Sequence, residues 1–424
     1  MARKMKDSGI EWIGEIPEGW EVHRVKTHFS IISGSGFKPE LQGQSTGDFP
    51  VCKASDISSS GHYLHTSANY ITSDIVKSQH FSIIPKGSIL FAKIGEAMRK
   101  NNRSLCSHDC CVDNNCQGLV PKNISSEFSY YLFTCIDMTW FDNAGTIPCI
   151  NNQKLYNCRI PFPSYDEQLL ISNHLNFQCA KINEMLFHIR SSIEEYKKLK
   201  QVVITRAVTK GVRGEREMKD SGVEWIGEIP VDWTIQRFAC VAKVKSNLVS
   251  PDNYLEYPQI SPENIEKDSG KLLLPCRTVS EVGVISGNHL FYKGQILYSK
   301  IRPKLNKVCI APFDGLCSAD MYPIESKNDT RYIVYCILSN GFLQQVSMIT
   351  ENRVKMPKVN QVELSKILVA IPETIAEQKE IADYLDTKCA EIDGLIAKKE
   401  QLVKELESYK KSLIYEVVTG KREV

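Results

Sequence analysis

Apolar residues recur at heptad spacing along two runs of similar length, one near the middle of the chain and one at its end. A seam sustained over four or more heptads is typical of a coiled coil. A core helix of a globular domain is the weaker interpretation, because such helices rarely exceed ~20 residues. The predicted seam positions are Ile171, Leu175, Ile182, Met185, Ile189, Tyr196, Leu199 and Val203 on the first run, and Ile381, Leu385, Ile392, Leu395, Leu402, Leu406, Tyr409 and Leu413 on the second.

Both runs begin and end on helix signals. Ser164 with Glu167, and Thr374 with Glu377, fit the S/T-x-x-E capping box, and a glycine closes each run. From these caps the two runs align without a gap, so each predicts a helix of about 45 residues, or ~68 Å in length. Equal lengths favour packing of the two helices on each other as an antiparallel coiled coil.

The segments that precede the helices predict compact domains. They are rich in short β-like runs with turn signals, such as "GSILFAKI" and "GQILYSKI". The predicted organisation is an α/β domain over 1–163, a long spacer helix over 164–213, a second α/β domain over 214–373 and a second helix over 374–424.

The second half of the chain repeats the first. Of the 22 residues from Met5 to Lys26, 14 are identical in the copy that starts at Met218, and "KGSILFAKI" shares six of nine residues with "KGQILYSKI". "GTIPCINNQKL" with "VKMPKVNQVEL", and "SYDEQLLISNHL" with "TIAEQKEIADYL", follow in the same order. Two copies are too few for a solenoid, so the sequence predicts a tandem duplication and an α+β molecule with a pseudo-two-fold.

The opener of each copy carries two tryptophans and a proline. They are Trp12, Pro17 and Trp20 in the first copy, and Trp225, Pro230 and Trp233 in the second. Exposed tryptophans at two matching sites would favour aggregation. We therefore expect these residues to fix the entering chain to its domain or to the base of a helix.

Length and composition predict several domains and no membrane span. The chain has 424 residues, 42% hydrophobic and 24% charged, without a run of ~18 apolar residues or a signal-peptide pattern. Fifteen cysteines, an odd number, are typical of a reducing compartment, so we expect a cytoplasmic protein. The densest group lacks the paired spacing of a zinc site and is interpreted as free thiols. It consists of Cys106, Cys110, Cys111 and Cys116 with His108.

The sequence lacks the motifs of common catalytic sites. It contains no phosphate-binding P-loop and no Asn/Asp-Pro-Pro-aromatic motif of the kind that amino-methyltransferases use. No histidine stands beside a nucleophile with an obvious third partner.

Basic residues cluster directly after the duplicated "KGxIL" strand in both copies, although the net charge is only +2. Lys and Arg neutralise phosphates, and Arg can bind a guanine edge bidentately. One such cluster is most simply a solvated loop, but two at matching positions favour DNA contact. The candidates are Lys93, Arg99, Lys100 and Arg103 in the first copy, and Lys300, Arg302, Lys304, Lys307, Arg353, Lys355 and Lys358 in the second.

These features together resemble the specificity subunits of type I restriction-modification systems. The resemblance rests on the opener "IEWIGEIPEGW", on "KGQILYSKIRPKLNKV" followed by "DGLCSADMYPI", and on "VKMPKVNQVELSKILVAIPETIAEQKEIADYLD" ending in "EVVTGK". It covers essentially the whole chain, in the order domain, helix, domain, helix.

The resemblance implies two target-recognition domains, each of which reads one half of a bipartite double-stranded DNA target, with the paired helices as a ruler. The subunit would be non-catalytic and would bind no cofactor itself. Two modification subunits would bring S-adenosylmethionine and methylate adenine. Restriction subunits with an ATP- and Mg-dependent motor and a nuclease would join them, and no membrane is involved.

Two alternatives to this family and a third inside it stay open. The chain is a stand-alone DNA methyltransferase or nuclease, or a coiled-coil scaffold without DNA specificity, or the specificity subunit of a system that methylates without cutting.

Overall fold

The computed structural model describes residues 3–143, 145–351, 353 and 357–424. The chain forms two compact units, Met1–His188 with Leu402–Val424, and Ile189–Gln401. Each unit contains one copy of the duplicated domain and a part of both long helices.

The two long helices span Tyr165–Lys210 and Ile375–Val418, 46 and 44 residues, within a few residues of the prediction. The hydroxyls of Ser164 and Thr374 accept the backbone N–H of Glu167 (3.4 Å) and Glu377 (3.2 Å), as expected of N-cap residues. Gly211 and Gly420 follow the C-termini in the left-handed region, at φ +76° and +72°.

The helices pair antiparallel. In the first unit, the start of the first helix and the end of the second share one buried cluster, and in the second unit the end of the first helix shares one with the start of the second. The first cluster contains Ile171, Leu175, Cys179, Ile182, Leu186, Leu413, Ile414, Val417 and Val418. The second contains Ile204, Ala207, Val208, Ile381, Leu385 and Cys389. This confirms the predicted antiparallel pair.

The seam begins with two steps of four residues and then alternates steps of three and four. Each seam residue of the second helix lies 210 positions after its counterpart, as Ile381 does after Ile171. All of these side chains are buried or half-buried. They are Ile171, Leu175, Cys179, Ile182, Leu186, Ile189, Ile193, Tyr196, Lys200, Val203 and Ala207, with Ile381, Leu385, Cys389, Ile392, Ile396, Lys399, Val403, Leu406, Lys410, Leu413 and Val417.

Five predicted seam positions are wrong by one residue. Leu395 and Leu402 are each 42% exposed, and their neighbours Ile396 and Val403 occupy the seam instead. The others are Met185, Leu199 and Tyr409, which are also exposed. The prediction followed apolar character, whereas the heptad geometry places Lys200, Lys399 and Lys410 at seam positions.

The first domain is built on two sheets. The main sheet orders its strands Phe29–Ser33, Cys116–Pro121, Ile89–Ala92, Arg103–Cys106 and Tyr63–Leu64, antiparallel except for the last pair. The smaller sheet orders Cys111–Val112, Phe49–Cys52 and Tyr70–Ile71, and its first pair is parallel. Strands Met5–Ile10 and Gly14–Pro17 form the opener hairpin, and Glu21–Arg24 pairs with Arg159–Phe162.

The second domain repeats this plan. Its main sheet orders Ala242–Val244, Met321–Ser326, Ile296–Ser299 and Val308–Ile310, all antiparallel. The other sheet orders Leu248–Val249, Asn288–Phe291, Gly315–Cys317 and Gln259–Ile260, and its last pair is parallel. Met218–Asp220 pairs with Glu228–Pro230, and Thr234–Arg237 pairs with Leu368–Ile371. The shared strand order of the main sheets agrees with the predicted duplication.

Short helices cover the sheets. In the first domain they are Val25–His28, Pro39–Leu41, Ala54–Ser60, Ser73–Ser78, Gly95–Arg99, Ser126–Thr134, Met138–Phe141 and Asn152–Asn157. In the second they are Phe238–Val241, Pro251–Asn253, Pro262–Asn264, Val279–Val282, Pro303–Leu305, Thr330–Leu338, Asn340–Thr350 and Gln361–Lys366. Over the described ranges no single helix is long and apolar enough to cross a membrane, and one pair bent by 58°, Thr330–Leu338 with Asn340–Thr350, passes by length and composition only.

The cysteine-rich segment lies inside the first domain. Cys106, Cys110 and Cys116 are buried in a cluster with Cys52, and Cys111 is buried in the next cluster. All are free thiols. Among the residues that the structure describes, no group of three or more His, Cys, Asp or Glu side chains is arranged to hold a metal.

The tryptophans of the two openers are fixed to the helix bases in the same way. The Nε1 of Trp20 donates to Glu167 (2.8 Å), and Arg3 pairs with the same carboxylate (2.5 Å). In the second unit Trp233 donates to Glu377 (3.2 Å), and Arg216 pairs with that carboxylate (2.5 Å).

The anchor requires a glycine at the end of the second long helix, whereas a Cβ at the end of the first would be in ordinary contact with the anchor tryptophan. A Cβ on Gly420 would lie 2.4 Å from the Pro17 ring, and one on Gly211 would lie 3.4 Å from Trp233. In each unit the opener therefore covers the start of one long helix and the end of the other, which bears out the anchoring hypothesis for Trp20 and Trp233. Trp12 is half-buried against Tyr415 and Trp140.

We expect Trp20→Ala and Trp233→Ala each to lower the free energy of unfolding by about 3–5 kcal/mol, because each removes a fully buried ring. Trp12→Ala, at a half-buried position, should cost less. Chemical denaturation of the three variants measures their free energies of unfolding and so ranks the three losses. A loss at Trp20 or Trp233 no larger than that at Trp12 would count against the anchor.

Candidate nucleic-acid interface

The two basic clusters begin at the same point of the fold. Lys93 and Lys300 each follow the central strand of the main sheet, Ile89–Ala92 or Ile296–Ser299. The N–H of Lys93 donates to Asn115 (2.8 Å) and its carbonyl accepts from Ile150 (2.9 Å). Lys300 donates to Asp320 (3.0 Å) and accepts from Val359 (2.9 Å). The predicted equivalence of the two loops is therefore correct.

In the second unit some basic side chains of the loop are exposed and unpaired within the described residues, whereas others contact their own domain. Arg302 and Lys304 are exposed, and neither forms an ion pair with any residue that the structure describes. The ammonium of half-buried Lys300 lies 5.2 Å from the Tyr322 ring centroid. Lys307 donates to the carbonyl of Pro262 (2.7 Å), which holds it against its own domain.

The nearby segment adds one exposed cation. Lys358 pairs with Asp320 (3.0 Å) while its side chain stays half-accessible. Arg353 is bound to Glu363 and to the carbonyl of Lys358, and this pairing raises the pKa of Arg353. Its charge is therefore already neutralised within the domain. Lys355 lies outside the described residues.

In the first unit Arg99 and Lys100 are exposed and Lys93 is half-buried. A guanidinium nitrogen of Arg99 lies 3.5 Å from Glu96, at the long end of a surface ion pair. These three residues remain candidates for DNA contact.

Arg103 is an incorrect candidate. It is 6% exposed, and its guanidinium donates to the backbone carbonyl (3.0 Å) and side-chain oxygen (2.9 Å) of Asn101 and to the carbonyl of Ile136. Burial lowers the pKa of Arg103 to about 10. The prediction placed Arg103 in the loop, but Arg103 is already part of the next strand, where it pairs with Phe91. Its counterpart in the second copy is Val308, which is buried and pairs with Tyr298.

Two seam lysines that no sequence pattern predicted are buried Lys200 and half-buried Lys410. The ammonium of Lys200 binds both carboxylate oxygens of Asp393 (2.8 and 3.0 Å), and Lys271 binds the same carboxylate (2.6 Å). In the first unit Lys410 donates to the side-chain oxygen of Asn183 (2.7 Å). The shared 210-residue offset of Lys200 with Lys410 and of Asn183 with Asp393 is the signal that could have found them.

The two seam contacts differ in charge. Partial burial alone would raise the pKa of Asp393, but hydrogen bonds from Lys200 and Lys271 hold that pKa below its ordinary value. Asn183 supplies only a neutral acceptor. A polar residue at a single seam position can fix the register of a coiled coil, and here each helix carries one seam lysine that binds an acceptor on the other helix.

Two α/β domains that each present a basic loop, in a chain with a paired-helix spacer, define a two-domain DNA-recognition subunit. The chain belongs to the type I restriction-modification DNA specificity family, whose domain model matches residues 17–195 and 230–405. Its two α/β domains are the target-recognition domains of such a subunit.

Known relatives cover most of the chain. It is 33% identical to the specificity subunit of the type I restriction enzyme EcoDI of Escherichia coli over 311 residues, 68% of this chain and 70% of that one. It is 22% identical to the MjaIX specificity subunit of Methanocaldococcus jannaschii over 394 residues, 86% of each. A solved chain from work on complex assembly and conformational transition of the type I R-M system shares the fold, with a TM-score of 0.67 at 13% identity over 96% of this chain and 99% of that one.

Exchanging the two seam acceptors, Asp393 and Asn183, measures how much the charge pair contributes to the free energy of unfolding. At pH 7 we expect Asp393→Asn to lower the free energy of unfolding by about 1–2 kcal/mol, because Lys200 keeps a hydrogen-bond acceptor but loses its counter-charge. The reciprocal Asn183→Asp should raise it by up to ~1 kcal/mol.

The pH dependence has a definite sign. Because the folded-state pKa of Asp393 is lowered, its contribution is complete above the ordinary aspartate pKa of about 3.9 and disappears as pH falls through the lower folded value. Urea unfolding at pH 7 and at a pH below the folded-state pKa of Asp393 should show the Asp393→Asn difference only at the higher pH. No difference at pH 7 would show that the charge pair contributes nothing.

Proposed function

We propose that this specificity subunit reads a bipartite DNA sequence, with one block bound by each target-recognition domain. The supporting observation is the duplicated loop that follows Ile89–Ala92 and Ile296–Ser299. Its backbone is held by equivalent hydrogen bonds in both units, while its side chains differ. Two domains that bind different DNA sequences in the same way need the same loop backbone with different side chains.

In the same proposal the long helices set the gap between the two blocks. A 46-residue helix is about 69 Å long, and one turn of DNA is ~34 Å, so the helices have the length to separate two readers by one or two turns. The seam lysines Lys200 and Lys410 support this role, because sliding of the helices would separate both from their acceptors.

The chemistry of the complex would lie on other subunits. In our proposal this chain is non-catalytic and binds no cofactor. Two modification subunits bring S-adenosylmethionine for adenine methylation, and restriction subunits bring the ATP- and Mg-dependent motor and nuclease. The support is that the relatives in E. coli and M. jannaschii are specificity subunits of restriction enzymes.

The modification subunits would dock on apolar side chains beside the seam. Met185, Leu402 and Tyr409 are 42–49% exposed in the first unit, as are Leu199 and Leu395 (46% and 42%) in the second. Met185 and Leu395 are counterparts at the 210-residue offset, and so are Leu199 and Tyr409. Each unit therefore offers a similar apolar face of the kind that a further helix covers in a bundle.

Mapping of methylated adenine tests the reading function. The chain is co-expressed with its modification subunit, and the host DNA is sequenced with a method that detects N6-methyladenine. We expect one motif of two defined blocks with a fixed gap, which disappears without this chain. A motif that persists without this chain, or no motif at all, would contradict the reading function and favour a scaffold.

Leu402→Asp should weaken binding of the modification subunit about tenfold or more, because docking would then bury a charge in an apolar contact. Ala397→Asp is the matched control: Ala397 is exposed on the same helix but points to a different side. The melting temperatures of both variants are measured first, to show that each is folded. The affinity for the modification subunit is then measured by titration of the purified subunits. Equal affinity of the two variants would exclude this docking face.

A further inference from the structure

Arg302 adopts a backbone conformation that its residue type disfavours. Its φ and ψ are +45° and +54°, in the left-handed region, where a Cβ clashes with the following carbonyl and which few residues other than Gly, Asn and Asp adopt. Pro303 follows it, and a residue before proline is normally extended. Arg302 is therefore held in a conformation that is costly for two reasons.

The surrounding structure fixes that conformation. The N–H of Arg302 donates to the carbonyl of Pro357 (2.8 Å), and its carbonyl accepts from Leu305 (2.9 Å). The first unit shows the same geometry at Gly95, where φ is +72° and the N–H donates to Pro148 (2.8 Å). The same turn is thus made in both copies, with the relaxed residue in one and the strained residue in the other.

The side chain of Arg302 offers no structural reason for this choice. It is exposed, and within the described part of the chain no acidic residue pairs with it; Asp320, whose backbone carbonyl accepts the N–H of Lys300, is bound through its carboxylate to Lys358. A non-glycine residue kept in a strained conformation at a binding loop is an indication of function. Lys300, Lys304 and Lys358 belong to the same loop cluster and make it attractive to DNA.

We propose that Arg302 is a specificity-determining residue of the second target-recognition domain and contacts a guanine in the half-site that this domain reads. The guanidinium fork matches the O6 and N7 acceptors of guanine in the major groove, and this is the commonest specific contact of arginine with DNA. Because Gly95 has no side chain, the first domain reads its own half-site with other residues. This inference rests on the proposed reading function.

Arg302→Gly separates a reading role from a structural role. It installs the residue that the first copy uses, so the melting temperature of the complex should stay unchanged or rise. Discrimination against the wrong base at one guanine position of one block should fall about 10- to 100-fold, while the other block and the gap stay as in the wild type. Arg302→Lys, which keeps the charge but not the fork, should relax the same position.

The assay is adenine methylation by the complex of this chain with its modification subunit, on a panel of duplexes that carry each single-base change of the wild-type motif. His80→Gly is the matched control, since His80 is exposed at φ +54° in the first unit, outside the basic loops. It should relieve backbone strain without any change in the motif.

Three results would overturn the assignment of Arg302. They are an unchanged motif in Arg302→Gly, a uniform loss of rate on all duplexes, which would indicate a phosphate contact, and relaxation at a position that is not guanine. All three presuppose a bipartite motif for the wild type. A wild-type complex without such a motif would instead contradict the reading function itself, and with it this inference.

Discussion

The antiparallel seam between the two long helices is the constraint on which the other features depend. Its three- and four-residue steps recur in both copies at one constant offset, so every seam contact in one unit has a counterpart in the other. Three seam places hold lysines rather than apolar residues, and two of these lysines bind an acceptor on the other helix, Asp393 for Lys200 and Asn183 for Lys410. Apolar contacts alone would tolerate a slip by one heptad, whereas a slip would leave both ammonium groups without a partner in a largely apolar seam.

The ends of the seam are fixed by the opener of each copy. Glu167 and Glu377 are each the third residue of a long helix. The backbone N–H of each is capped by the N-cap hydroxyl, and its carboxylate accepts a hydrogen bond from the tryptophan of an opener. One glutamate therefore links the start of each helix to the opener of its unit. This shared anchor gives the tryptophan and the proline of the opener, Trp20 and Pro17 in the first copy, a structural reason to be the same in both copies. The domains themselves have diverged more freely: the turn made by Gly95 in one is made by Arg302 in the other, on the same backbone hydrogen bond.

The duplication and the two long helices could be predicted from the sequence, because repeats and heptads are patterns of the sequence itself. Helix ends were predicted within a few residues, since caps and terminal glycines are local signals. The phase of the seam was not, because Leu395 and Leu402 are as apolar as their buried neighbours and Lys200 is not apolar at all. The prediction for Arg103 was wrong because nothing local shows that the strand starts at this residue. The left-handed turn at Arg302 depends on contacts with Pro357, far away in sequence, and no local pattern predicts it.

The role of the helices as a ruler is the central claim, and a change of helix length tests it most directly. One heptad is inserted after Ile189 and another after its counterpart Lys399, so that the phase of the seam is kept and each helix grows by about 10 Å. The methylated motif of the assembled complex is then compared with that of the wild type. We predict the same two blocks, separated by about three more base pairs, given ~34 Å per turn of DNA. The same blocks at an unchanged gap would contradict the account.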